Sequence, residues 1–209
     1  MAYEDEEQLE EIRDWWRRNG RAVLIGAGAA IAIVIGWQQW GAWESRQQAA
    51  AASEYAAVLA NLRDQDANAA LEQFSSLQDQ HARSPYLAFS GLAIAAHQMR
   101  ADEAQAAADT LSQVSAQAAD GVFSDLVRLR RAEALMAAGE DAEALALLDP
   151  LPEGLLAGRY LELKGDLNRA LGEREAAINA YQEARELAQG QRRALVELKL
   201  GDLGERPTS

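Results

Sequence analysis

The sequence predicts an all-α protein, with one N-terminal transmembrane helix followed by a helical solenoid. Three observations carry that expectation. Alanine, leucine, glutamate, glutamine and arginine dominate, all good helix formers, while proline occurs only 4 times in 209 residues. Val, Ile and Thr are sparse outside one N-terminal stretch, which leaves little material for strands. That stretch, Ala22 to Trp43, runs for 22 positions without a charged residue.

The first element is this apolar run. As a helix it extends roughly 33 Å at about 1.5 Å per residue, which matches the hydrocarbon core of a bilayer. Trp15 and Trp16 stand before it and Trp37, Trp40 and Trp43 close it, so all 5 tryptophans border one segment. Indole favours the headgroup boundary, where its ring is dry and its N–H wet. A soluble core helix has a polar face, and this run has none. A cleaved signal needs a short basic lead and small residues soon after the run. Here the lead is acidic (Glu4, Asp5, Glu6, Glu7, Glu10, Glu11, Asp14), and the run ends in Trp-Gln-Gln-Trp. The nearest Ala-x-Ala begins only at Ala49. An uncleaved anchor is expected.

Arg13, Arg17, Arg18 and Arg21 precede the span and only Arg46 follows closely. Positive charge stays inside. The expected organisation is a cytoplasmic acidic arm at 1–21, a transmembrane helix at 22–43 and a translocated domain at 44–209, periplasmic in a bacterial inner membrane. Within the span, Gly28, Ala32 and Gly36 form a small-residue row, and Ala22, Gly26 and Ala30 form another. Such rows let helices approach closely, so Gly28, Ala32 and Gly36 are candidates for membrane-helix packing.

Beyond Trp43, Glu44 to Arg63 has no helix breaker and continues the membrane helix outward. Start and stop signals then alternate. Asp66 caps a helix over Ala67 to Gln80, and Ser84-Pro85 starts the next. Asp102 opens a third and Ser124 a fourth, which Gly139 stops. Gly172 and Gly190 are expected to stop two more, and Gln191 to Leu203 forms a final capping helix.

These helices show an internal period. From Gly165, Ala177 lies 12 residues on, Tyr181 16 on and Ala184 19 on. A small residue in one helix, then small, aromatic and small residues in the next, is the pattern of a tetratricopeptide repeat-like helical solenoid. The reason is steric: antiparallel helices cross closely only where the crossing points are Gly or Ala. One repeat earlier, Ala132 is followed at the same offsets by Ala144, Leu148 and Leu151, with Pro152 just after. Further upstream Ala107 with Leu111, and Ala70 with Phe74, stand for second-helix positions about 37 apart. Their first-helix partners, Gly91 and Val58, are not expected to keep strict offsets.

Composition narrows the function. Lys+Arg total 20 against Asp+Glu 33, a net charge of −13, which argues against a nucleic-acid partner. The absence of cysteine removes disulfides, thiolate catalysis and Cys-type metal sites. His81 and His97 lie 16 apart on different expected helices, without ligand spacing. No Gly-rich phosphate loop, nucleophile elbow or HExxH run occurs. No catalytic residue, cofactor or metal is expected, and what remains is a surface. Repeat solenoids bind peptides or partner proteins on the face lined by first helices. In the two clearer repeats those positions are Leu126, Leu129, Arg130, Glu133 and Met136, then Arg159, Glu162, Asp166 and Arg169. Arginine offers forked hydrogen bonds there, and methionine an adaptable apolar surface.

Taken together, the arm ending EEIRDWWRRNGRAV, the Gly/Ala-rich span closed by GWQQW and the later LLAGRYLELKGDLNRALGEREAAINAYQEA resemble the YfgM family of ancillary SecYEG translocon subunits. The resemblance is most specific at Glu11 to Val23 and Gly165 to Ala184, and weakest at Asp64 to Ala119. It implies a non-catalytic, single-span inner-membrane protein with a periplasmic repeat domain. It further implies association with the SecYEG translocon and with a membrane-anchored periplasmic prolyl isomerase of the PpiD type. The implied role is to hand exported client chains to periplasmic chaperones, with a link from the cytoplasmic arm to stress signalling. The alternative function is a tetratricopeptide scaffold for other cell-envelope assembly or division machinery.

Overall fold

The computed structural model describes residues 2–115 and 122–204. Among them every regular element is helical. The chain divides into two compact units, residues 1–49 and residues 50–209.

The first unit is the leading part of α1 (Ala2–Arg63), which runs on without a break through the apolar stretch and the segment after it, as the absence of a breaker predicts. Its most apolar window is only 6% buried, so it is not a soluble core helix. All five tryptophans are exposed on it. It is the one candidate membrane span among the described residues.

The second unit begins with the final turns of α1 and continues through α2 (Ala67–His81), α3 (Pro85–Arg100), α4 (Ala104–Ser115), α5 (Val122–Ala138), α6 (Asp141–Leu147), α7 (Ala157–Ala170), α8 (Arg174–Leu187) and α9 (Gly190–Asp202). Most start signals act as their chemistry requires. The Asp66 side chain accepts a hydrogen bond from the Ala69 N–H at 3.0 Å, and Ser84 accepts from the Tyr86 N–H at 3.3 Å with Pro85 in the first turn. Gly139 and Gly172 take φ of +84° and +82° just past α5 and α7, the left-handed conformation that ends a helix.

Three expected boundaries and one repeat position differ. Asp102 sits in the turn before α4 with φ of +61°, a conformation that Asp tolerates. The helix itself begins at Ala104. Ser124 lies inside the first turn of α5. Gly190 opens α9 instead of ending α8, whose last residue is Leu187. Leu151 is 40% exposed and outside any helix, because Asp149-Pro150-Leu151-Pro152 cannot extend α6.

The repeat is more regular than the chosen partners imply. Val58, Ala70, Phe74 and Leu77 keep the spacing of Gly165, Ala177, Tyr181 and Ala184, and all four are buried. Replacing Gly91 by Ala95 restores the same spacing in the second repeat, with Ala107, Leu111 and Val114 buried. Gly91 serves a neighbouring close approach: a side chain there would overlap Val114.

One apolar cluster runs from Ala51 and Val58 through Leu77, Leu111 and Leu135 to Tyr160 and Leu167. A second joins Leu161 of α7 to Ile178 and Tyr181 of α8 and to Val196 and Leu200 of α9. α7 is buried on both sides, as an inner helix of a stacked repeat must be. Tyr160 ties it to α5: its hydroxyl donates to the Asp125 carbonyl at 2.7 Å and accepts from Arg128 at 2.9 Å. Burial pushes the Tyr160 phenol above its ordinary pKa, partly opposed by the Arg128 guanidinium.

Candidate functional site: a two-part groove on the first helices

Leu126 and Arg130 stand one turn apart on α5, and Leu92 and Met99 stand seven residues apart on α3, so each pair faces one side of its helix. Between them lies an open groove of about 540 Å³. It is lined by Leu92, Ala96 and Met99 from α3, Leu126, Arg130 and Glu133 from α5, and parts of Ala95 and Leu111. This half is mainly apolar. One turn before Leu92 and Leu126 on the same helices stand Phe89 and Phe123, whose rings meet edge-on with centroids 5.2 Å apart, and the Tyr55 ring lies 6.0 Å from that of Phe89.

The polar half begins where the apolar half ends. Glu133 accepts from Arg130 and from Arg159 of α7, both at 2.6 Å. Arg159 in turn lies 3.6 Å from Glu162. Glu162 also accepts from Arg192 and Lys199 of α9, each at 2.9 Å. Lys199 donates to Asp166 at 2.8 Å, and Asp166 accepts the Tyr181 hydroxyl at 2.7 Å. One chain of ion pairs thus links α5, α7 and α9.

Its hub is Glu162, only 4% exposed. Burial alone would raise the pKa of this carboxyl. Lys199, then Arg159 and Arg192, outweigh it and hold the carboxylate below its ordinary range. Tyr181 shows the opposite balance. Burial, followed by the hydrogen bond to Asp166 and that carboxylate's charge, raises its phenol well above the usual value, with Arg169 opposing.

Of the nine groove residues read from the sequence, six take part in this cavity or its ion-pair chain, in distinct roles. Leu126, Arg130 and Glu133 line the cavity, and Arg159, Glu162 and Asp166 carry the ion-pair chain. Arg169 is exposed and contributes positive charge near Tyr181. Met136 is exposed farther along α5. Leu129 is a correction: it is 2% exposed and part of the core, because one residue before Arg130 the helix has turned about 100° away. Sequence reasoning missed Leu92 and Met99, although Met99 and Met136 stand 37 residues apart, the repeat spacing. It also missed Arg192 and Lys199, whose pairing with α7 no local pattern encodes.

In the first unit, nothing lies near the position a side chain would take at Gly28 or Gly36, so that row is open. The side chain of Ala32 lies outside the described residues. Among the described residues, no group of three His, Cys, Asp or Glu gathers as a metal site.

A stacked set of helix pairs with small residues at each crossing is a repeat architecture. A family model described as a tetratricopeptide repeat-like domain matches residues 13–205. The chain belongs to this family. The resemblance to the ancillary translocon subunits also holds. A Haemophilus influenzae protein named ancillary SecYEG translocon subunit is 25% identical over 205 residues, covering 97% of this chain and 100% of the relative. One of the same name from Aggregatibacter actinomycetemcomitans is 29% identical with the same coverage. A third, from Escherichia coli K12, is 25% identical over 183 residues, covering 86% of this chain and 87% of the relative.

Proposed function

We propose that this chain is a non-catalytic, membrane-anchored adaptor of the SecYEG translocon, linking it to periplasmic chaperones during protein export. The names of three relatives aligned over most of the chain support the translocon part. The groove on α3 and α5 supports the adaptor part, since it offers an apolar face with a charged edge. The arginines before the span support a cytoplasmic N-terminus and a periplasmic repeat domain. Partners on this reading are SecYEG, a membrane-anchored periplasmic prolyl isomerase of the PpiD type and exported client chains, with Gly28, Ala32 and Gly36 facing another membrane helix.

Photocrosslinkers placed at Trp40 and at Arg130 in native membranes test it. Trp40 should capture a translocon subunit. Arg130 should capture the isomerase or an exported chain. Capture of neither set from either position refutes the proposal.

A further inference from the structure

On α1, Arg13, Arg17 and Arg21 follow one another at four-residue spacing and form one stripe. Like charges at that spacing repel and weaken a helix unless something neutralises them. The repeat domain neutralises many of its cations: Arg128, Arg130, Arg131, Arg159, Lys164, Arg192 and Lys199 all stand in ion pairs. Among the described residues no ion pair reaches Arg13, Arg17 or Arg21, and all three are exposed.

The stripe continues downward without changing face. Stepping on by three and four residues from Arg21 leads to Leu24, Gly28, Ile31 and Ile35. Leu24, Ile31 and Ile35 are 64%, 60% and 53% exposed. Three guanidinium groups spaced over roughly 12 Å of helix therefore stand directly above an open apolar track. Beside them the Trp16 indole lies over Gly20, 3.3 Å from where a side chain would begin, so a flat ring adjoins the cationic stripe.

We propose that this face binds an anionic phospholipid. The phosphate of the headgroup sits against Arg17 and Arg21, with Arg13 adding long-range attraction, and an acyl chain follows Leu24, Ile31 and Ile35. Guanidinium matches phosphate in charge and in forked geometry. The apolar track below matches the hydrocarbon that a free phosphate or an acidic peptide lacks. The proposal rests on the reading of this segment as a membrane span.

Tryptophan quenching tests it. The full-length protein carrying Trp37→Phe, Trp40→Phe and Trp43→Phe leaves Trp15 and Trp16 as reporters at the arginine end. It is reconstituted into vesicles of phosphatidylcholine with about one quarter phosphatidylglycerol, with bromine on the acyl chains of one lipid or the other. Brominated phosphatidylglycerol should quench beyond its mole fraction: a relative affinity of at least about fivefold over phosphatidylcholine, the factor that one arginine near an anionic surface supplies, raises its share at the reporters from about one quarter to about five eighths. Arg17→Gln with Arg21→Gln should return quenching to the mole fraction, while brominated phosphatidylcholine still quenches and shows that the span is inserted. Quenching by mole fraction in the unaltered stripe, or enrichment that survives both substitutions, overturns the proposal. Quenching by neither lipid overturns the membrane-span reading as well.

Discussion

Gly165→Ala is the smallest change that tests the repeat architecture. The added methyl would overlap the ring carbons of Tyr181 on α8. The ring has nowhere to go: Tyr181 is fully buried, and its hydroxyl is held at 2.7 Å by Asp166, on the same helix as Gly165. Two effects oppose each other. Replacing glycine by alanine inside a helix gains about 1 kcal/mol of propensity. Overpacking a tight contact costs about 1–3 kcal/mol, and a rigid anchored ring places this site at the upper end. The expected net loss is about 1–2 kcal/mol.

For a domain of this size that loss lowers Tm by about 3–6 °C. Thermal unfolding of residues 50–209, a unit with its own core, followed by circular dichroism provides the measurement. In a Tyr181→Leu background the ring is gone, so Gly165→Ala should become neutral or stabilising. An unchanged or raised Tm for the single substitution would refute the steric account, because only propensity would then remain.

Two further outcomes follow from the polar contacts. The Glu162 carboxylate is held below its ordinary value of 4.5, so its stabilisation is complete above that pH and is lost as pH falls below it through the lowered native value. Glu162→Gln should cost about 2 kcal/mol at neutral pH and flatten the loss of stability below pH 4.5, as read from urea midpoints across pH; an unaltered acid limb excludes Glu162 as its source. Asp66→Ala removes the side-chain cap of α2 and should cost about 1 kcal/mol, read from the same urea midpoints at neutral pH.

Much of this fold is legible because its signals are local. Asp66, Ser84-Pro85, Gly139 and Gly172 act within a turn of their own position, and each marks the expected boundary. Gly190 misled because glycine suits either end of a helix, and only the short link from Ala188 decides that it begins α9. The repeat offsets are legible once Ala95 replaces Gly91, since two small residues one turn apart differ only in which neighbour they meet. The site is less legible. Facing positions on α5 and α7 follow from periodicity, but the cations of α9 that occupy Glu162 and Asp166 arrive through tertiary stacking. Leu129 shows the same limit at finer scale: one residue of helix rotation separates groove from core.

The pairing also decides how the two halves of the groove can contribute to recognition. A ligand reaching Glu162 must displace Arg192 and Lys199, and so exchanges existing charge-assisted bonds for new ones with little net gain. The polar half therefore sets which ligands are tolerated more than how tightly they are held. At Leu92, Met99 and Leu126 nothing among the described residues has to be displaced, and burying their exposed surface gains about 25 cal/mol per Å². Affinity should thus reside in the apolar half, with Met99 adapting to different side chains. Arg130, 53% exposed where the halves meet, can turn from Glu133 toward a ligand without leaving that carboxylate unpaired, since Glu133 keeps Arg159.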